Sequence, residues 1–216
     1  MADEESGCPE LWDEYQWERF LQQQDQKTEQ YFALFEKYQD HPDRDEIIAR
    51  EMGWNQSDDE DDDEVSDWIE VSDEDESEDA SEEEEAELEE LQSSEVYMQS
   101  MELNRRVFTM VEERDALKDH PTAVELATRV AICGAKLAAA LCGDDLSEVG
   151  MTIAYLKRSL KAANDALGAA SRLRQASLID NEDLGSINEL LFPIRERIVD
   201  MMGEYRQELR RRRGEL

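Results

Sequence analysis

Residues 123–142, AVELATRVAICGAKLAAALC, are apolar almost all the way round a helix. Only Glu125, Arg129 and Lys136 interrupt them, and their spacings of four and seven put all three on one narrow stripe. A helix with so little polar surface has to be covered on nearly every side, so the flanking helices must pack around it. The pattern before it, residues 89–118, carries two adjoining apolar stripes. Tyr97, Met101, Phe108 and Val111 form one, and Val96, Leu103, Val107, Met110 and Leu117 the other. Together they predict one continuous helix with a broad buried face. Residues 119–122, Asp-His-Pro-Thr, are a turn that supplies an N-cap and a proline for the next helix.

After Gly143, a good helix-ending residue, a third helix is expected over about 146–177. Its apolar positions Val149, Ile153, Leu156, Leu160, Ala163, Leu167 and Ala170 alternate in steps of four and three, the seam of a bundle or coiled coil. Asp180 or Asn181 then caps a fourth helix, in which Leu184, Ile187, Leu191, Ile194, Ile198, Met201, Tyr205 and Leu209 repeat the spacing. Pro193 lies inside it and predicts a kink over 189–192. Four long helices with short connections predict an all-α protein whose residues 91–216 form an antiparallel four-helix bundle. The Ala, Gly and Cys of the second helix allow close approach of its neighbours.

The front of the chain is patterned differently. Residues 9–39 read as a helix with two apolar patches, 11–21 and 31–38, separated by the wholly polar 22–28. Pro9 suits its first turn. His41-Pro42 ends it, and a short helix over 43–52 stops at Gly53. Nine of the chain's 15 aromatic residues precede residue 57, too many rings to leave singly in water. Residues 1–56 are thus an aromatic-rich helical arm, and Trp12, Trp17, Phe20, Tyr31 and Phe35 are its candidate partner-binding positions. At least one of its two patches is expected to be buried against protein.

Charge separates these regions further. The net charge is -34, of which residues 57–90 supply -22 through 22 acids and no base. Residues 91–216 hold 20 acids and 18 bases, so the bundle is close to neutral. A segment as acidic as 57–90 repels itself and has too little apolar surface to offset its ordering entropy, which predicts a disordered acidic linker. Within it Trp68, Ile69 and Val71, flanked by acids, have the makings of a short docking motif. Ser57, Ser72 and Ser81 each precede an acid by three residues, a pattern that acid-directed kinases read. Arg210, Arg211, Arg212 and Arg213 are the one basic cluster; they suit a helix C-terminus and could also meet the linker.

Candidate chemistry is sparse. His41 and His120, the only histidines, adjoin prolines in turns, and neither lies in the Glu-x-x-His pattern of di-iron bundles. No catalytic residue, cofactor or metal ligand is assigned. Cys133 and Cys142 are about 13 Å apart along their helix, too far to bridge, and read with Cys8 as reduced thiols. The acidic N-terminus has no apolar core segment, and no stretch has the length and purity of a membrane span. A field of this sign repels nucleic acid and anionic membranes and attracts basic partners. The expectation is therefore a cytoplasmic, non-enzymatic interaction or scaffold protein whose linker recruits a basic protein, with homo-oligomers open to it. The alternative is a small helical enzyme or ligand carrier with its site inside the bundle.

Overall fold

The computed structural model describes residues 12–54, 88–89, 91–142 and 149–214, and they are helical with no strand among them. In chain order the helices are α1 (Glu14–Tyr38), α2 (Arg44–Met52), α3 (Glu95–Glu113), α4 (Asp115–Lys118), α5 (Pro121–Leu141), α6 (Val149–Gln175) and α7 (Asn181–Arg212). The chain divides into two compact units. One takes in residues 12–18 and everything described from 88 onward. The other holds the described residues from 19 to 54. The acidic linker, with Trp68, Ile69, Val71 and its serines, lies outside the described residues, as do Cys8 and Gly143.

In the larger unit α3, α5, α6 and α7 form the expected four-helix bundle. They pack in that order, each against the next, and α7 closes on α3. Named side-chain contacts set the antiparallel registers. Glu125 of α5 pairs with Arg172 of α6 at 2.7 Å, Arg129 with Asp165 at 3.7 Å, and Lys136 sits 5.6 Å from the Tyr155 ring. The three charges that interrupt the apolar α5 thus share the flank that meets α6. Between α3 and α7, Arg106 donates to the Ser186 hydroxyl at 2.7 Å and Arg114 pairs with Asp183 at 2.6 Å.

The core is apolar. Leu103, Val107, Leu126, Val130, Leu137, Leu156, Leu173, Leu191, Ile194 and Ile198 are fully buried. Helix α5 buries Ala127, Cys133 and Gly134, and α6 buries Ser159, Ala162, Ala166 and Ala169, so small residues meet on both sides. Ser159 donates to the Cys133 carbonyl at 2.8 Å, which satisfies its hydroxyl. Leu160 and Leu167, expected on the α6 seam, are only half-buried; the fully buried flank is the one that carries serine and alanine.

Two expectations fail for α3. It is not continuous to Lys118: Arg114 is extended (φ -118, ψ 104) and splits off α4 as a single turn. The physical cause is a bidentate ion pair, Arg114 Nη1 and Nη2 to the two Asp183 oxygens at 2.6 and 2.7 Å. The break lets Arg114 reach α7 while Leu117 still turns into the core, fully buried. The stripe of Tyr97, Met101, Phe108 and Val111 is the other failure. Met101 and Phe108 are exposed, as is Met98, because the face of α3 around Leu103 and Val107 alone points inward.

Caps explain the helix ends. Asp180 accepts from the Glu182 and Asp183 amides, and Asp183 accepts from the Asp180 amide, a reciprocal capping box that starts α7. Helix α7 carries Pro193 in its interior. His120, rather than Asp119 or Thr122, caps α5: its Nδ1 accepts from the Thr122 amide at 3.2 Å, with Pro121 in the first turn. Helix α6 ends with Leu178 N–H donating to Leu173 C=O and with Ser177 left-handed at φ 59, a closure that usually falls to glycine.

The smaller unit is a helical hairpin of the rest of α1 against α2. Ile48 is its fully buried side chain, with Leu34 nearly so. Gly53 ends α2 at φ 78, as expected. Residues 22–30, which hold the polar middle of α1, are all exposed.

Candidate interaction surfaces

Three groups of candidate residues can be placed. The first is the start of the arm. Helix α1 begins later than Pro9, at Glu14, because Asp13 caps it. Asp13 Oδ1 accepts from the Tyr15 and Gln16 amides, and Gln16 Oε1 accepts from the Asp13 amide, all at 2.9 Å. This Asp-x-x-Gln box is legible in the sequence and was the missed signal. It aims Glu14, Trp17 and Glu18 at the bundle. Arg206 Nη2 of α7 lies 2.9 Å from Glu14 Oε2, and Arg158 Nε of α6 lies 3.0 Å from Glu18 Oε2. Glu14 and Trp17 are buried, and the Trp12 ring meets Trp17 edge-on at 5.1 Å. Lys157 Nζ lies 4.5 Å from the Tyr15 ring.

Gly150, in the first turn of α6, makes this seat possible. A Cβ at that position would stand 2.3 Å from the Trp12 carbonyl oxygen and 2.8 Å from Trp17 Cδ1. The indole supplies most of the holding energy, on the order of 4 kcal/mol for about 150 Å² at 25 cal/mol/Å². The two ion pairs are partly exposed and add less, about 0–1 kcal/mol each.

The second group lies in the hairpin. Tyr31 stacks on Trp54 at 5.9 Å and lies 6.2 Å from Phe35. The Arg44 guanidinium sits 4.6 Å from the Phe35 ring. Tyr38 donates to Glu51 at 2.6 Å across the two helices. Tyr31 and Phe35 are thus half-buried in a ring cluster whose outer members, Phe32 and Trp54, are exposed. Phe20, further up α1, is also exposed. Sequence reasoning did not single out Phe32 or Trp54; neither fits a helical repeat, and the α1–α2 turn brings Trp54 onto Tyr31.

The third group is the basic end of α7. Arg211 and Arg212 both pair with Glu208 at 2.8 Å. The two guanidiniums hold the Glu208 carboxyl below the usual carboxylate range. Arg210 and Arg213 are exposed on the same helix end. This group belongs to the larger unit and the hairpin rings to the smaller one, so the two are separate candidate surfaces.

Elsewhere the polar chemistry is structural. Hydrogen bonds from Arg105 and Arg106 pull the partly exposed Glu102 carboxyl down to about 2. Burial pushes the Cys133 thiol up, against a smaller opposite effect of Ser159, so it is a poor nucleophile. Cys142 is half-buried. Asn104 donates to the Ser100 and Val130 carbonyls, close against Gly134. An open cleft of about 620 Å³ lies at the α6–α7 turn, lined by Arg114, Arg174 and residues 177–182. Among the described residues no group of three His, Cys, Asp or Glu is placed to hold a metal ion, and no helix is long and apolar enough to cross a membrane.

The fold and these surfaces define an all-α protein with a four-helix bundle and an aromatic arm. No family model, no curated protein and no solved structure matches the chain.

Proposed function

We propose that the chain is a non-enzymatic interaction or scaffold protein of the cytoplasm whose acidic residues 57–90 recruit a basic protein partner. The observation that carries this is the charge distribution: 22 carboxylates without a base, next to a bundle segment with 20 acids and 18 bases. Attraction at such density is long-ranged and speeds encounter, and it is screened over about 8 Å at physiological salt. Two further features support it. Among the described residues of the bundle the buried polar side chains are few, Ser100, Thr152 and Ser159, which gives an interior catalytic or ligand site little to work with. Arg211 and Arg212 are engaged by Glu208, which leaves less of the basic cluster to compete for the linker. Nucleic acid and anionic membranes are repelled by the same field. Met98, Met101 and Phe108 give α3 an exposed apolar face through which copies could also associate, and sedimentation velocity at rising concentration reads this directly.

The test compares the full chain with one whose residues 57–90 are replaced by a Gly/Ser segment of equal length. Basic proteins captured by the first and absent from the second, identified by mass spectrometry, support the proposal. Their affinity should then fall steeply between about 50 and 500 mM salt, mainly through slower association. Changing Trp68 and Ile69 to Ala should matter little if charge alone recruits. An affinity flat across that salt range would show that the linker is a spacer.

A further inference from the structure

The seat that holds residues 12–18 is built like a recognition site. Its cations come from two different helices, Arg158 from α6 and Arg206 from α7, and they clasp Glu18 and Glu14, one turn apart on the arm. Its floor is Gly150, and the three heavy atoms nearest to a Cβ there all belong to the arm: Trp12 O, Trp17 Cδ1 and Asp13 C. The space a side chain would fill is used only to admit an incoming backbone and indole.

We infer that this seat is a binding site for helical peptides that carry a tryptophan and two carboxylates four residues apart, and that the chain's own arm occupies it as a tethered ligand. The chemistry selects that class. A cationic peptide would meet Lys157, Arg158 and Arg206. A neutral one would give up the Glu14–Arg206 and Glu18–Arg158 pairs that the arm makes. The contact is confined to the first turns of the arm, where the Trp17 indole, the Trp12 ring, Tyr15 and two ion pairs hold it, so it can open without unfolding the bundle. The connection from the arm to α3 includes residues 55–87, which at full extension span on the order of 110 Å. Because the arm belongs to the same chain as the seat, it competes with any free ligand as an intramolecular one. A free partner peptide therefore competes with the arm and displaces residues 12–18 when it wins. This site prefers acidic ligands, the opposite of the linker, and does not depend on it.

The probe is a fluorescent peptide of residues 10–24, titrated into the full-length protein and followed by anisotropy. Binding to the unmodified chain should be weak, because the arm competes. Full-length Trp17→Ala, with its arm weakened, should bind at least about tenfold more tightly, as the competent fraction rises from below a tenth toward one. Adding Gly150→Ala to that variant should abolish binding, since the new methyl fills the seat, while circular dichroism shows the bundle helices retained. Full-length Glu14→Gln/Glu18→Gln weakens the arm by a second route and should also bind more tightly than the unmodified chain, by a smaller factor than Trp17→Ala. Failure of both weakened chains to bind overturns the inference, as does binding that survives Gly150→Ala. Loss of bundle helix in both weakened chains would make the arm part of the core and overturns it too. A dimer that becomes monomeric on Trp17→Ala would replace it with exchange of arms between copies.

Discussion

The bundle and the hairpin of residues 19–54 use the same element and reach different ends. In the bundle four helices close a ring, and a long series of side chains is wholly removed from water. In the hairpin two helices meet along one line, Ile48 alone is fully buried, and Phe32 and Trp54 are left exposed. Two helices cannot surround a core, so the hairpin spends its rings on lateral stacking where the bundle uses Leu and Ala in depth. Rings on one line leave part of each ring to solvent, whereas a closed ring of helices turns most of its apolar residues inward. The difference places the exposed ring cluster on the arm and most of the stability in the bundle.

The largest expected effect breaks the bundle side of this contrast. Leu156→Ala should lower its stability by about 3 kcal/mol, through lost burial and a residual cavity, measured by urea unfolding with far-UV circular dichroism. Ile48→Ala should cost about 2 kcal/mol or more, but only locally. Hydrogen exchange should show amides of 19–54 losing protection while those of 95–212 keep theirs. Equal loss in both would mean that the two units unfold as one and would remove the contrast.

A smaller effect concerns acid. Arg114 holds the Asp183 carboxyl below its ordinary value, helped by the Asp180 amide. A folded value below the unfolded value of about 3.9 contributes stability above that pH, and the contribution disappears as pH falls through the folded value. Asp183→Asn should therefore flatten the stability profile below about pH 4 and cost on the order of 1 kcal/mol at pH 7, the pair being partly exposed. An unchanged acid limb would show that the pair does not link α3 to α7 energetically. The smallest effect has the opposite sign. Ser177→Gly should stabilise the bundle by about 0.5–1 kcal/mol by relieving the left-handed backbone at the end of α6, read as a raised Tm.

Most of the fold was legible because the bundle helices are amphipathic and their ends carry ordinary caps. Asp180, Pro121 and Gly53 act as their residue types dictate. The break at Arg114 was not legible. Glu113-Arg114-Asp115 contains no helix breaker, and the cause is an ion pair to a residue 69 positions away. The exposed Met101 and Phe108 were misplaced for a related reason: a broad apolar face does not say which part of it the neighbours cover. Of the candidate site, the importance of Trp12 and Trp17 was visible as aromatic density. Their seat was not, because Gly150, Arg158 and Arg206 stand some 140 to 190 residues away with no local pattern to mark them.

The charged stripe of α5 has one more consequence, for alignment. Ala163, Ala166 and Ala170 make the middle of the α6 seam uniform, so there apolar packing discriminates a slide of seven residues less than Leu156 and Leu173 do at its ends. The charges do not tolerate that slide. Moved one way, Glu125 would face Asp165 and Arg129 would face Arg158; moved the other way, Arg129 would face Arg172. Both wrong offsets set like charges against each other. Three residues that contribute little cohesion thus act as a key beside the part of the seam that is most uniform.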